Sequence, residues 1–313
     1  MTKQVKNLKH LQSEIDSALS LISNKSKSLD NIGVPKNGLI AGTQSLLERC
    51  ENVVNKKKSA KPVLRIIHHL ACSGGTIVSK CIASLPNVFL LSELHPTSTL
   101  HMGKGKAKFL PADITTQARY ARVPDVDELA WKLFIDNIKT TFEHIEALGG
   151  TLVIREHSHS DFCVGDSISS GSSLIKHLSP YFDIVSAVTI RNPIDAYLSL
   201  VSNDWQHFEP KGFEEYCKRV LAFVSAFSDN QIIRYEDVVK DPSSSIERIA
   251  ATLKISFADS FIDTFSTVNM TGDSGRSGTT ISERPRREVP DTLQQQINNS
   301  SSFKQIADMF GYD

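Results

Sequence analysis

The chain has 313 residues, with 35 Lys and Arg against 35 Asp and Glu, 40% hydrophobic residues and 22% charged residues, a composition that excludes a disordered chain, a collagen and a small disulfide-stapled scaffold. A formal net charge of zero argues against a general nucleic-acid-binding protein, because such proteins present a basic surface to the phosphate backbone. Five cysteines without a Cys-x-x-Cys pair predict reduced thiols in a cytoplasmic protein, and neither a disulfide framework nor a metal site.

The first 60 residues are predicted to form a helical segment that precedes the main domain. Apolar residues recur at spacings of three and four between Val5 and Ile22, which marks one face of an amphipathic helix. The sequence has neither a signal peptide nor a run of 18 apolar residues, so we expect no membrane partner. We expect residues 1–60 to cover one side of the core, with formation of a homo-oligomer through the N-terminal helix as the alternative.

Residues 61–313 alternate short apolar runs with helical periods. Five runs have the length and composition of strands: Val63–His69, Val88–Leu91, Thr151–Arg155, Val185–Ile190 and Gln231–Arg234. Helical patterns separate or follow them at 76–85, 127–147, 193–203, 212–228 and 243–253. This alternation predicts one α/β domain with a central parallel sheet flanked by helices. Ligands of such sheets bind at the carboxyl ends of the strands.

The first predicted strand runs into a small turn that contains glycine and leads into a helix. The turn reads Cys72-Ser73-Gly74-Gly75-Thr76. Backbone N–H groups at the start of a helix suit a phosphate, because the helix dipole makes that end positive. No Gly-Lys-Ser/Thr follows, so the signature of a magnesium nucleoside triphosphate site is absent. Turns of this kind also occur for packing alone.

Arg191 follows the fourth predicted strand and stands just before a well-specified helix start. Asn192 is a favourable N-cap and Pro193 suits the first helical position. Arg191 is thereby left at the carboxyl edge of the sheet. Ser199 lies about two turns along the helix and only about 80° away around its axis. The two side chains form a candidate binding site for a second phosphate.

Five sequence features, taken in order, resemble the family of sulfotransferases that use 3′-phosphoadenosine 5′-phosphosulfate (PAPS). They are His69-Leu-Ala-Cys-Ser-Gly-Gly-Thr76, Arg155-Glu156-His157, Arg191-Asn192-Pro193 with Ser199, Tyr235-Glu236-Asp237 running into Asp241-Pro242, and Gly272-Asp-Ser-Gly-Arg276. The resemblance spans residues 63 to 280. It implies a fold like that of the P-loop nucleoside triphosphate hydrolases. It also implies transfer of a sulfuryl group from PAPS, without a metal, to a hydroxyl acceptor such as a carbohydrate or a small metabolite.

The resemblance assigns the nucleotide to residues that follow three of the predicted strands and to one residue of a C-terminal loop. It implies that backbone groups of the turn hold the 5′-phosphosulfate, that an arginine and a serine take the 3′-phosphate, that a tyrosine lies near the adenine, and that a C-terminal arginine closes over the 3′-phosphate. In that order these residues are Ser73, Gly74, Gly75 and Thr76, then Arg191 and Ser199, then Tyr235, then Arg276.

The resemblance places the catalytic histidine of the family at His157, with Arg155 where a lysine usually stands nearby. A neutral imidazole can remove the proton of an acceptor hydroxyl near pH 7 as that hydroxyl attacks sulfur. Glu93, after the second predicted strand, is a rival base, because some family members that act on glycans use a glutamate.

Cys72 departs from the family pattern. Its position usually carries Lys or Arg, whose charge stabilises the leaving phosphate. Either another cation replaces it, with Arg155 and Lys80 the nearest candidates, or turnover is slow or absent. The non-enzymatic alternative is therefore a degenerate member that binds PAPS or 3′,5′-ADP.

The string His157-Ser-His159-Ser-Asp161 offers a different enzyme class. His-x-His-x-Asp occurs in hydrolases that use two metal ions, and this alternative predicts bound zinc. It leaves the other four features unexplained, so we favour the sulfotransferase interpretation.

Overall fold

The computed structural model describes residues 61–102, 107–272, 280–283 and 285–313. The predicted helical segment 1–60 and the predicted phosphate ligand Arg276 lie outside the described residues. The described strands are β1 (Val63–His69), β2 (Val88–Leu94), β3 (Thr151–Glu156), β4 (Val164–Gly165), β5 (Asp183–Ile190), β6 (His207–Phe208) and β7 (Ile232–Arg234).

The described helices follow the strands in alternation through most of the chain. They are α1 (Gly75–Ala83), α2 (Ile114–Tyr120), α3 (Val126–Ala147), α4 (His159–Phe162), α5 (Ser173–Leu178), α6 (Pro193–Ser202), α7 (Phe213–Ser225), α8 (Tyr235–Lys240), α9 (Pro242–Leu253), α10 (Phe261–Thr264), α11 (Asp291–Asn299) and α12 (Ser301–Phe310). The five helices predicted from periodicity are confirmed to within three residues at either end. Within the described part of the chain, every helix is too short or too polar to cross a bilayer.

The five predicted strands form one parallel sheet in the order β2-β3-β1-β5-β7. The predicted α/β class with a central parallel sheet flanked by helices is therefore confirmed. β1 lies at the centre, where Leu64, Ile66 and Ile67 are fully buried. Strands buried on both faces read as continuous apolar runs rather than as an alternation, which is why these strands stand out in the sequence.

Helices cover both faces of this sheet. On one face, Leu64 and Ile66 pack with Ile138 and Phe142 of α3 and with Leu174 of α5. On the other face, residues of β1, β3, β5 and β7 pack with α1 and α9. Two covered faces leave the carboxyl edge of the sheet as the open side at which the βα turns end.

Two features of the sheet differ from the sequence prediction. β2 continues beyond Leu91 to Leu94, with a shift in its pairing to β3 between those residues. Glu93 sits inside this irregularity with a positive φ of 59°. The run of apolar residues therefore ends at Leu91, three residues before the strand itself ends. The second sheet pairs β4 with β6, and strands of two residues are too short to leave a periodic signal.

Candidate functional site

A cavity of about 710 Å³ lies at the carboxyl edge of the main sheet. Ten of the predicted site residues line it: Cys72, Gly74, Gly75, Thr76, Glu93, Arg155, His157, Arg191, Ser199 and Tyr235. They come from the ends of five strands and from α1, α6 and α8. Ser73 does not line the cavity. The structure thus gathers residues that are up to 163 positions apart in the sequence, since Cys72 and Tyr235 border the same space.

The turn after β1 is shaped by contacts that leave no room for side chains. Gly74 has a positive φ of 82° and precedes the first residue of α1. A Cβ on Gly74 would lie 2.1 Å from the ring of Tyr235, and one on Gly75 would lie 2.0 Å from the ring of His69. Ser73 closes the turn, because its hydroxyl donates to the Leu70 carbonyl at 2.7 Å. The N–H groups of Gly75 and Thr76 precede the first hydrogen bonds of α1, which begin at Ile77, so they remain donors beside the cavity.

Arg191 joins the turn to the residues predicted to lie near the adenine and the second phosphate. Its guanidinium donates to the Cys72 carbonyl at 3.2 Å and lies 5.2 Å from the centre of the Tyr235 ring. Ser199 is buried on α6. Asn203 lies close to both Ser199 and Cys72: its amide nitrogen is 2.7 Å from the Ser199 carbonyl oxygen and 3.9 Å from the Cys72 sulfur.

Arg155 is almost fully buried and connects several strand ends. Its nitrogens donate to His69 Nε2 at 2.8 Å, Ser92 Oγ at 3.1 Å, Thr76 Oγ1 at 3.3 Å, the Thr271 carbonyl at 3.2 Å and Glu93 Oε1 at 2.5 Å. The guanidinium therefore stands beside the turn after β1. Arg155 is one of the two residues, with Lys80, that were predicted to supply a positive charge in place of Cys72.

The two candidate bases contact each other. His157 Nδ1 donates to Glu93 Oε2, and a carboxylate can only accept, so this nitrogen carries the proton. Nε2 of the same ring is buried and has no hydrogen-bond partner among the described residues. An unpaired buried ring nitrogen costs free energy and calls for a functional explanation.

The carboxyl of Glu93 is ionised in this setting. Burial raises its pKa, but the hydrogen bond from His157 and the charge of Arg155 outweigh burial and hold the pKa well below its usual range. Burial, followed by the charge of Arg155, lowers the pKa of His69 to about 4. His69 is therefore a neutral ring whose Nε2 accepts from Arg155.

The three members of the His-x-His-x-Asp string take separate partners. His157 pairs with Glu93, His159 Nε2 lies 3.3 Å from His207 Nδ1, and Asp161 lies 3.2 Å from His95 Nε2. Among the described residues, no three histidine, cysteine or acidic side chains are arranged to hold a metal ion. The string is thus divided among three different contacts.

Sequence reasoning missed the segment after α6 as a part of this site. Asn203, Trp205 and His207 all line the cavity, although the sequence pattern shows only the end of a helix there. Two aromatic rings within three residues that lack helical periodicity are the signal that was available.

The comparisons with known proteins relate the chain to solved structures alone. No protein-family profile matches it, and no curated protein does. The fold is similar to a sulfotransferase domain from the curacin biosynthetic pathway, with 16% identity and a TM-score of 0.47 over 82% of this chain and 99% of that chain. It is also similar to a sulfotransferase domain from the Synechococcus olefin synthase, with 15% identity and a TM-score of 0.48 over 82% and 97% of the two chains. A mouse sulfotransferase complexed with PAP has 13% identity and a TM-score of 0.41 over 80% and 89%.

Proposed function

We propose that the protein is a PAPS-dependent sulfotransferase that transfers a sulfuryl group to a hydroxyl acceptor. The observation that carries the proposal is the convergence, in one cavity, of a phosphate-type turn, an arginine and serine pair, and a histidine held by a carboxylate. Each feature alone is common in α/β proteins. Their combination supplies what sulfuryl transfer needs: anion binding, a base and a cation.

The donor end of the cavity suits a nucleotide with phosphate groups at two positions. The glycine turn brings the N-terminus of α1 to the cavity wall, and a positive helix end favours one phosphate. Arg191, which contacts the Cys72 carbonyl, and Ser199 line the same cavity and suit a second phosphate, since guanidinium groups bind phosphate in forked geometry. The Tyr235 ring, packed on Gly74, offers a flat surface to a base.

When bound, PAPS supplies an activated sulfuryl group whose bond to the 5′-phosphate breaks as the acceptor oxygen bonds to sulfur. His157 receives the acceptor's proton at Nε2, because Nδ1 is already protonated and bound to Glu93. The Glu93 carboxylate fixes this tautomer and stabilises the imidazolium that results. In this proposal His157 is the base and Glu93 positions it, so the two rivals of the sequence analysis act together.

In this proposal Arg155 supplies the positive charge that Lys or Arg usually provides at the position of Cys72. Its guanidinium reaches Thr76 of the turn, where charge accumulates on the leaving phosphate. A positioned cation stabilises such charge in the transition state more than in the ground state. Lys80, one turn further along α1, also lines the cavity.

The second candidate function is a degenerate protein that binds the nucleotide without turnover. One observation favours it: Arg155 is already paired with the Glu93 carboxylate at 2.5 Å, which offsets part of the charge that a leaving phosphate would use. In either case we place the protein in the cytoplasm, where free thiols such as the four described cysteines are stable.

The test is single-turnover release of labelled sulfate from PAPS, which requires no knowledge of the acceptor. We expect release by the wild type and about 100-fold slower release by His157→Ala. Equal rates for the two proteins would overturn the role of His157. Tight binding of 3′,5′-ADP without release by either protein would favour the degenerate binder, and no binding at all would overturn both.

A further inference from the structure

The carboxylate of Glu236 connects two parts of the proposed nucleotide site. Glu236 follows Tyr235 in the first turn of α8. Its Oε1 accepts the backbone N–H of Asn192 at 2.8 Å, and Asn192 directly follows Arg191 in the chain. One side chain therefore links the helix whose ring is proposed to lie near the adenine to the arginine that is proposed to bind the 3′-phosphate.

Asn192 marks the point at which β5 ends and α6 begins. Its side-chain oxygen accepts the backbone N–H of Ile194 at 2.9 Å and so caps α6, the helix that carries Ser199. Asn192 is buried, and a buried backbone N–H without an acceptor costs free energy. Because Glu236 is the acceptor of that N–H, its carboxylate ties the start of α6 to α8.

The second oxygen of this carboxylate is also held. The hydroxyl group of Tyr312, a buried residue, donates to Glu236 Oε2 at 3.2 Å. A donor on each oxygen fixes the rotation of the carboxylate and keeps Oε1 directed at Asn192. The next acidic residue, Asp237, instead pairs with Arg234 three residues earlier, so that ion pair is local to the start of α8.

The negative charge of Glu236 does not itself favour a phosphate. Its Oε1 bonds the residue next to Arg191, and a carboxylate beside an anion site weakens anion binding because like charges repel. Charge therefore gives no reason for an acidic residue at this position. The hydrogen bond to Asn192 does, since it needs an acceptor at the end of a side chain of this length.

We infer that Glu236 is a positioning residue for recognition of the 3′-phosphate. Through Asn192 it holds Arg191 and the start of α6 at a fixed distance from Tyr235. This inference rests on the proposed function and adds a residue to the donor site. The reach of the Glu236 side chain, and not its charge, then decides how strongly the protein prefers 3′,5′-ADP to 5′-AMP.

Two variants separate reach from charge. Glu236→Asp keeps the charge but is one methylene shorter, so it loses the bond to Asn192, whereas Glu236→Gln loses the charge but keeps an oxygen that can accept this bond. Asp237→Asn, in the same turn of α8, is the matched control for charge alone. Calorimetry measures the ratio of the Kd for 5′-AMP to the Kd for 3′,5′-ADP. A general loss of structure weakens both nucleotides and does not change this ratio.

We expect Glu236→Asp to lower the ratio about tenfold, and Glu236→Gln and Asp237→Asn to keep it within about twofold of the wild type. In an Arg191→Ala background, Glu236→Asp should change the ratio by no more than about twofold, because it acts through Arg191. An unchanged ratio in Glu236→Asp, or an equal fall in Glu236→Gln, overturns the inference. So do losses that multiply in the double variant. A wild-type ratio near one overturns the proposed function instead.

Discussion

His157 Nδ1 donates a hydrogen bond to the carboxylate of Glu93, so the two candidate bases form one acid–base pair. We expect His157→Ala to reduce kcat by about 100- to 10,000-fold and Glu93→Gln to reduce it by about 100-fold, because the amide no longer stabilises the imidazolium. The double variant should be no slower than His157→Ala, since residues that act as a unit are not additive. Single-turnover kinetics with labelled PAPS measures all three.

Glu143→Gln on the exposed side of α3 is the matched control and should leave kcat unchanged. If the losses of the two single variants multiply in the double variant, Glu93 acts independently of His157, and the pair is not the catalytic unit.

Arg191 should discriminate between nucleotides by their 3′-phosphate. We expect 3′,5′-ADP to bind much more tightly than 5′-AMP, and Arg191→Ala to remove about 1.5–3 kcal/mol of that preference, as expected for a charge-assisted contact. Calorimetry with both nucleotides measures it. Lys132→Ala, which removes an exposed cation on α3, is the control. Equal affinities of the wild type for the two nucleotides would contradict the proposed donor.

Cys72→Lys should separate an enzyme from a degenerate binder. The new ammonium stands where charge grows on the leaving phosphate, so it should raise kcat for PAPS hydrolysis about tenfold, or about 1.4 kcal/mol, with a smaller gain in 3′,5′-ADP affinity. Cys72→Ser is the matched neutral control. If Cys72→Lys is instead slower than the wild type, Arg155 has taken over the role, and Arg155→Lys should then lose activity in a wild-type background.

Gly75→Ala should damage the phosphate turn through a single methyl group. The new Cβ would overlap the ring of His69 at 2.0 Å, and we expect a loss of about 1–3 kcal/mol in unfolding free energy, measured by urea denaturation. In a His69→Ala background, Gly75→Ala should cost much less than in the wild type, because the clashing ring is absent. Gly171→Ala has nothing within 4 Å of the new Cβ and should be neutral. A Gly75→Ala protein as stable as the wild type would contradict this packing.

Stability should fall as the pH is lowered through the range in which unfolded histidines gain protons. His69 and His159 have pKa values of about 4 and about 3 in the folded chain, against 6.5 as the ordinary value. Below pH 6.5 the unfolded state binds more protons than the folded state, so each ring lowers the unfolding free energy by about 1.4 kcal/mol per pH unit until its folded pKa is reached. Urea denaturation between pH 4.5 and about 7 measures the slope.

His159→Gln should reduce that slope by about 1.4 kcal/mol per pH unit, the contribution of one titrating group, because the amide does not titrate. A slope that is the same in the variant would mean that folding does not lower the pKa of His159.

The order of elements could be predicted because the central strands are apolar on both faces, as Leu64 and Ile67 of β1 show. The backbone conformation of Glu93 and its position within β2 could not be predicted, since a left-handed residue inside a strand irregularity leaves no periodic signal. The turn and Arg191 follow from local chemistry: a glycine pair, an N-cap and a proline. Their meeting at one cavity depends on the order of strands in the sheet, which periodicity does not encode.

The segment after α6 shows the same limit. Trp205 and His207 belong to no motif in the sequence, and their position at the cavity follows only from the fold. Likewise Arg155 was matched to a lysine position, but its contacts with His69 and Thr76 follow from β3 lying beside β1.

In the turn after β1, the residues that fix the backbone are different from the residue at the position where a cation was expected. Gly74 and Gly75 fix the backbone against Tyr235 and His69, whereas the side chain of Cys72 borders the cavity and takes no part in those two contacts. A lineage can therefore exchange a cation for a thiol at this position while the pocket is inherited intact. Under the proposed function, gain and loss of turnover would depend on a residue that those two backbone contacts do not need, so a change at position 72 would not have to pass through a misfolded protein.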